Sequence, residues 1–244
     1  MGSLLSMFGK NIEFVFVALI MIALMYAVAF VSERLIEKKK NVKFSSEKTK
    51  INKMVLIAML SAVSVVLMYF DFPIAFIAPS FYKFDFSEVP VLIGSFILGP
   101  CAGVAIEAVK VILHLCIKGT ETAFVGDFAN FILGCAYILP ASIIYHCHKS
   151  RKVAIISLVV GGITLIISGT LLNAFYLLPK YSELYGMPIE SFIAMGNKIN
   201  SSINDIFSFV AIAVAPFNLI KAVADGCLTT VLYKYLSVHI KIHN

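Results

Sequence analysis

Charge is scarce in this sequence: Asp, Glu, Lys and Arg together make up 14% of the residues, against about 25% in soluble domains. That scarcity excludes an ordinary soluble globule. Catalytic signatures are also missing. No GxxxxGK[ST] loop is present to cradle a nucleotide phosphate, so the chain carries no ATP-hydrolysing loop of this kind. HExxH, GxSxG and CxxC are absent too, which removes the usual metal and nucleophile constellations. The reading is therefore not an enzyme, with no catalytic residue and no metal site. The five cysteines, Cys101, Cys116, Cys135, Cys147 and Cys227, are odd in number and widely spaced. They form no disulfide framework or zinc pattern and read as small packing residues.

What is present is apolar. Of 244 residues, 60% are hydrophobic, and the mean hydropathy is +0.93. A hydrocarbon core about 30 Å thick takes about 20 apolar residues per helix. On that measure seven segments span: roughly 11–32, 53–71, 88–99, 101–118, 123–147, 152–178 and 203–236. The third is short, Gly99-Pro100 separates it from the fourth, and Pro216 is expected to kink the last. The first segment is longer than a signal-peptide core and is followed by its basic cluster, so it is expected to remain as an anchor.

The formal charge of +6 invites a nucleic-acid reading. Its distribution argues otherwise. Eight basic residues lie between Glu33 and Lys53, with no aromatic interleaving and no binding motif. Basic residues are retained on the cytoplasmic side. Placing that linker inside puts thirteen basic residues inside and five outside, and leaves Lys110 and Lys221 within spans. The expected topology is a multi-pass cell-membrane protein with its N-terminus outside, its C-terminus cytoplasmic, and longer outer segments at about 72–87 and 179–202.

Polar residues within spans are costly and so call for a role. Glu107, Lys110 and His114 share one helix face, where Glu107 and Lys110 can pair. They suit either a register-fixing ion pair or a relay. Beyond the Pro216 kink, Asn218 and Lys221 point to one side. They suit contacts to a neutral heteroaromatic edge; alternatively, Lys221 pairs with Asp225 and Asn218 ties the kinked backbone. Segment 71–90, DFPIAFIAPSFYKFDFSEVP, is too apolar for a solvated loop and reads as a lid or plug, or else as an interfacial aromatic belt. Asn173 lies at the same end of its helix as the lid, as a contact or as helix-to-helix glue, while Asp127 and Asn130 read as structural.

Taken together, FPIAFIAPSFYKFDFSEVPVLIGSFILGPCAGVAIEAVKVILH (72–114), GDFANFILG (126–134), GTLLNAFYLLPKY (169–181) and APFNLIKA (215–222) carry a resemblance. They resemble the riboflavin-binding type of S-component of energy-coupling factor (ECF) vitamin transporters. The resemblance implies an all-α membrane protein: a six-helix S-component bundle, here preceded by one extra N-terminal transmembrane helix. Residues 1–32 would be that helix, 33–52 a basic cytoplasmic linker, 53–237 the riboflavin-binding body and 238–244 a cytoplasmic tail.

It further implies riboflavin as transported ligand, with no cofactor, and as partners a membrane scaffold subunit and two ATPase subunits. By the same resemblance, Asn173, Asn218 and Lys221 contact the flavin, and Lys83, Phe84 and Asp85 are lid contacts, although Asp85 alternatively holds the lid backbone. Ala58 and Ala62 match a small-xxx-small scaffold-docking pair. Two departures stand out: Ala222 occupies a position that is often Gly in the family, and the leading span lies outside the usual six. The alternatives are another heterocyclic vitamin as ligand, or an ion-coupled secondary transporter using Glu107, Lys110 and His114.

Overall fold

The computed structural model describes residues 12–40, 47–120, 122 and 124–239. Expectations about Lys10, Lys43, Lys241 and the tail beyond His239 lie outside these residues. Six helical stretches are long and apolar enough to cross a bilayer. They are α1 (Ile12–Lys40), α2 (Glu47–Tyr69), α4 (Pro100–Ile117), α5 (Val125–Cys147), a fifth stretch that starts with α6 (Arg151–Leu172), and a sixth that ends in α10 (Ala215–His239). After α6 the chain passes a π-helical turn, Asn173–Leu177, and α7 (Leu178–Tyr185), then forms α8 (Ile189–Asn197). Before α10 come α9 (Ile206–Phe209) and a second π-helical turn, Val210–Val214.

The third expected segment, 88–99, is as short as its sequence suggests and is not among these six stretches. Helix α3 (Glu88–Leu98) has 11 residues, a rise of about 16 Å at 1.5 Å per residue. The reason lies at its N-terminus. Glu88 pairs with Lys110, which lies ten residues beyond Pro100 in α4, so α3 begins beside the middle of that helix. Segment 72–87, which leads into α3, has no helical structure. Its strands β1 (Phe72–Pro73) and β2 (Lys83–Phe84) pair antiparallel, Phe72 opposite Phe84. Irregular backbone at membrane depth must be satisfied by protein groups. The Ser64 hydroxyl donates to the Ser87 carbonyl, and the Ser87 amide donates to Asp85 Oδ1 at 2.8 Å. Gly99, at φ 106°, then reverses the chain into Pro100, the first residue of α4. This left-handed φ range is open to glycine at little cost.

Both π turns precede a proline. Pro179 and Pro216 lack an N–H, and in an α-helix each ring would press on the carbonyl four residues back, that of Phe175 or Ile212. The wider turn removes that conflict. Leu178 donates to the Asn173 carbonyl and Ala215 to the Val210 carbonyl, five residues back in each case. The Pro216 distortion is therefore a π bulge that re-aims the following turn, which carries Asn218 and Lys221.

Helix α1 runs beyond residue 32 to Lys40, with Lys38, Lys39 and Lys40 in its last turn, where cations complement the helix dipole. Much of its surface is exposed and apolar, including Leu19, Ile20, Leu24 and Tyr26. It is nevertheless attached to the body. Ala29 is fully buried, and Glu33 Oε1 accepts from the Cys101 amide at 3.2 Å, capping the N-terminus of α4. Two apolar clusters fill the bundle. One, with Phe84, Phe128, Phe131, Phe209 and Phe217, surrounds the lid end. The other, with Leu92, Phe96, Ile138, Tyr145 and Leu158, lies nearer the basic end of α5 and α6.

Candidate ligand-binding site

A cavity of about 210 Å³ opens between the lid segment and α4, α5, α6 and α10. Its lining includes Lys83, Asp85, Asn173, Asn218 and Lys221, five of the six residues singled out as ligand contacts. These come from three separate stretches of sequence. Phe84 is not among the lining residues. It is buried in the wall of the lid, 5.3 Å from the Phe72 ring and 5.0 Å from the Phe86 ring between centroids. Alternation along β2 explains this, since successive side chains point to opposite faces.

Asn173 opens the first π turn and is buried. Its Nδ2 donates to the Gly169 carbonyl at 2.8 Å, and its Oδ1 accepts from the Tyr82 hydroxyl at 2.6 Å. A carboxamide has two N–H donors and two acceptor lone pairs. Asn173 therefore holds the lid while keeping one donor and one lone pair for a ligand. Its neighbour across the α6–α10 contact is Asn218. A Cβ on Gly169 would collide with the Asn218 amide, so glycine there lets α10 bring that amide to the cavity wall. Among the described residues the Asn218 side chain forms no hydrogen bond.

Lys221 forms its ion pair with the lid: its Nζ lies 3.5 Å from Asp85 Oδ2. The other Asp85 oxygen accepts from Ser87. Asp85 thus both holds the lid backbone and pairs with Lys221, so the two roles weighed for it coexist. Asp225 is fully buried without a hydrogen-bond partner.

Lys110 gathers the carboxylates of Glu107 at 2.7 Å and Glu88 at 2.9 Å, and donates to Ser87 Oγ and Asn130 Oδ1, each at 3.2 Å. Glu107 and Lys110 form the expected pair, but neither lines the cavity; Gly134 opposite makes room for the Glu107 carboxylate. The cluster joins α3, α4 and α5, fixing their register. His114 lies 3.5 Å from Asp127, and both border the cavity with Asn130. Asp127 and Asn130 therefore face the ligand space as well as supporting the fold.

Aromatic contacts seat the lid. Phe81 lies 5.8 Å from Phe192 and 6.3 Å from Tyr181, while Tyr82 lies 5.7 Å from Phe217. At its outer edge, Asp71 receives Lys118 at 2.8 Å and Lys83 at 3.6 Å. The sequence reading missed Tyr82 as a site residue. Its signal was that it carries the one hydroxyl among the six aromatics of segment 71–90. Ala58 and Ala62 do not line this cavity; both are exposed one turn apart on α2 among exposed Val55, Met59 and Val63. The Ala222 methyl would lie 3.1 Å from a methyl on Gly162, so Ala222 meets α6 where α6 is smallest.

Comparison with known proteins decides the family. The sequence model described as "ECF transporter, substrate-specific component" matches residues 52–233. The chain belongs to the ECF transporter substrate-specific components. It is 34% identical over 193 residues to the riboflavin transporter FmnP of Bacillus subtilis, covering 79% of this chain and 93% of that protein. To the riboflavin transporter RibU of Staphylococcus aureus it is 32% identical over 189 residues, covering 78% and 92%. A solved structure, described as the S component of a bacterial ECF transporter, superposes with a TM-score of 0.63 at 33% identity, covering 79% of this chain and 99% of that one. The family is one of transporter components, so the chain is not an enzyme. The unmatched leading residues include α1.

Proposed function

We propose that this chain captures riboflavin from outside the cell and delivers it inward as the substrate-binding subunit of an ECF complex with a membrane scaffold and two ATPase subunits. The observation that carries the reading is the convergence of Asn173, Asn218 and Lys221 on one lidded cavity, in a chain 34% identical to a riboflavin transporter. Riboflavin is neutral and flat, and one edge of its ring system alternates carbonyl oxygens with ring nitrogens. Amides match such an edge because each offers donors and acceptors side by side. Lys221 adds a charged donor, oriented by Asp85. Phe217, Tyr82 and Tyr181 supply apolar faces for the ring. Riboflavin is cargo here and is not retained as a cofactor.

Basic residues favour the cytoplasmic side, which supports an outside N-terminus, a cytoplasmic C-terminus and a lid facing outward. In this arrangement α1 is the leading helix and runs on to Lys40, into the basic segment placed at 33–52, and residues 53–237 form the binding body. The exposed Ala58–Ala62 strip permits close approach of a scaffold helix. Uptake of labelled riboflavin in cells that express the chain with and without its scaffold and ATPases tests the proposal. Uptake that depends on all four subunits is the expected result. Uptake by the chain alone would favour an ion-coupled transporter instead.

A further inference from the structure

A second cavity, of about 410 Å³, lies at the opposite end of the bundle, between α3, the α5–α6 turn and α10. Lys149, Ser150, Arg151 and Lys234 line its mouth, and among the described residues no Asp or Glu is part of the lining. Cations also crowd this end. The Lys149 ammonium is held below the ordinary lysine range by partial burial and by the nearby charge of Lys40. The mouth also contains the N-terminus of the 22-residue helix α6. Ser150 Oγ takes the Val153 amide at 3.2 Å, and the other first-turn N–H groups have no partner within the helix. Helix N-termini and lysine or arginine side chains both favour phosphate.

Deeper in, the character changes in step on two antiparallel helices. Along α6 the lining passes from Arg151 to Ala154, Ile155 and Leu158, and along α10 from Lys234 through Tyr233 to Thr230 and Thr229. Ile155 is exposed on the lipid-facing side. The far wall is aromatic: Phe96 stacks on Tyr145 at 4.5 Å between centroids, and the hydroxyls of Tyr145 and Tyr233 lie 2.7 Å apart. Thr229 belongs to the same wall, with its hydroxyl fully buried and without a hydrogen-bond partner among the described residues. Asp225, one turn deeper on α10, does not line the cavity. A cationic mouth with an apolar, aromatic wall beyond it follows the order of phosphate and acyl chain in a phospholipid.

We infer that this cavity holds one anionic phospholipid: its phosphate lies between Lys149, Arg151, Lys234 and the start of α6, and an acyl chain runs along Ile155 and Leu158. The inference takes this end to face the cytoplasmic leaflet, where basic pockets between helices meet anionic headgroups. It does not require riboflavin to be the ligand of the first cavity. Native mass spectrometry of the full, delipidated chain tests it, with phosphatidylglycerol, phosphatidylcholine and inorganic phosphate as separate probes. The wild type retains one phosphatidylglycerol in preference to phosphatidylcholine, and millimolar inorganic phosphate does not displace it. The double variant Lys149→Ala/Arg151→Ala loses about 30-fold in that preference, the change expected for two cationic contacts to a headgroup. Lys149→Arg/Arg151→Lys keeps it, which separates loss of charge from loss of fold. Equal retention of the two lipids, a preference unchanged in the alanine double variant, or displacement by inorganic phosphate would each overturn the inference.

Discussion

Replacing Lys221 by methionine keeps most of the side-chain length and removes only the ammonium group. In the structure that group lies 3.5 Å from Asp85 Oδ2 on the cavity wall, with Asn218 three residues earlier on the same helix. A hydrogen bond from a charged donor contributes about 1.5–3 kcal/mol, so losing it should weaken riboflavin binding by about 10- to 150-fold. The substitution also leaves Asp85 buried without its cation. Breaking a buried pair costs about 3–5 kcal/mol. Here the cost falls toward the lower end, because the pair is long and Asp85 keeps the Ser87 amide. The two effects can be separated. Asp85→Asn combined with Lys221→Met removes the orphaned charge, so thermal stability should recover while affinity stays low. The assay is quenching of riboflavin fluorescence on titration with purified protein, with a thermal melt of each variant. A Lys221→Met affinity within about twofold of wild type, roughly 0.4 kcal/mol, would refute the contact.

Tyr82→Phe removes the 2.6 Å bond between lid and Asn173, and at about 0.5–1.5 kcal/mol per neutral hydrogen bond it should speed flavin release about two- to tenfold in a stopped-flow chase. Lys110→Met strands Glu88 and Glu107 and should lower stability by about 3–5 kcal/mol; adding Glu88→Gln and Glu107→Gln should restore part of the loss in the same melts. Ala58→Leu with Ala62→Leu thickens an exposed strip without touching the cavity. Flavin binding should persist in that variant while four-subunit uptake falls, and uptake at the wild-type level would remove this strip from the scaffold contact.

The helices were legible in sequence because a bilayer fixes their length and composition, and Gly99-Pro100 and Pro216 marked real breaks. The third segment was legible as a short helix, but the reason for its start was not. Residues 88–99 read as an apolar helix, and nothing in their periodicity shows that Glu88 starts at the depth of Lys110. The π turns were equally hidden. A proline announces a disturbance, but whether the helix kinks or widens depends on the packing around it. At the site, i and i+3 spacing correctly put Asn218 and Lys221 on one side, and polar residues within apolar runs identified Asn173 and the Glu107–Lys110 pair. Their meeting in one cavity is long-range and came only with the fold. The partner of Lys221 shows the limit most clearly: helical spacing offered Asp225, whereas the lid supplies Asp85 from 136 residues away. Phe84 stays out of the cavity lining for a local reason, because a two-residue strand turns Lys83 toward the cavity and Phe84 into the wall.

Binding itself remains the most direct test of the central claim. Purified protein, freed of flavin and titrated with riboflavin, should quench its fluorescence saturably at one flavin per chain, and Asn218→Ala should weaken that binding well beyond twofold. A chain that leaves riboflavin fluorescence unchanged, or that binds it equally well without Asn218, would contradict the account.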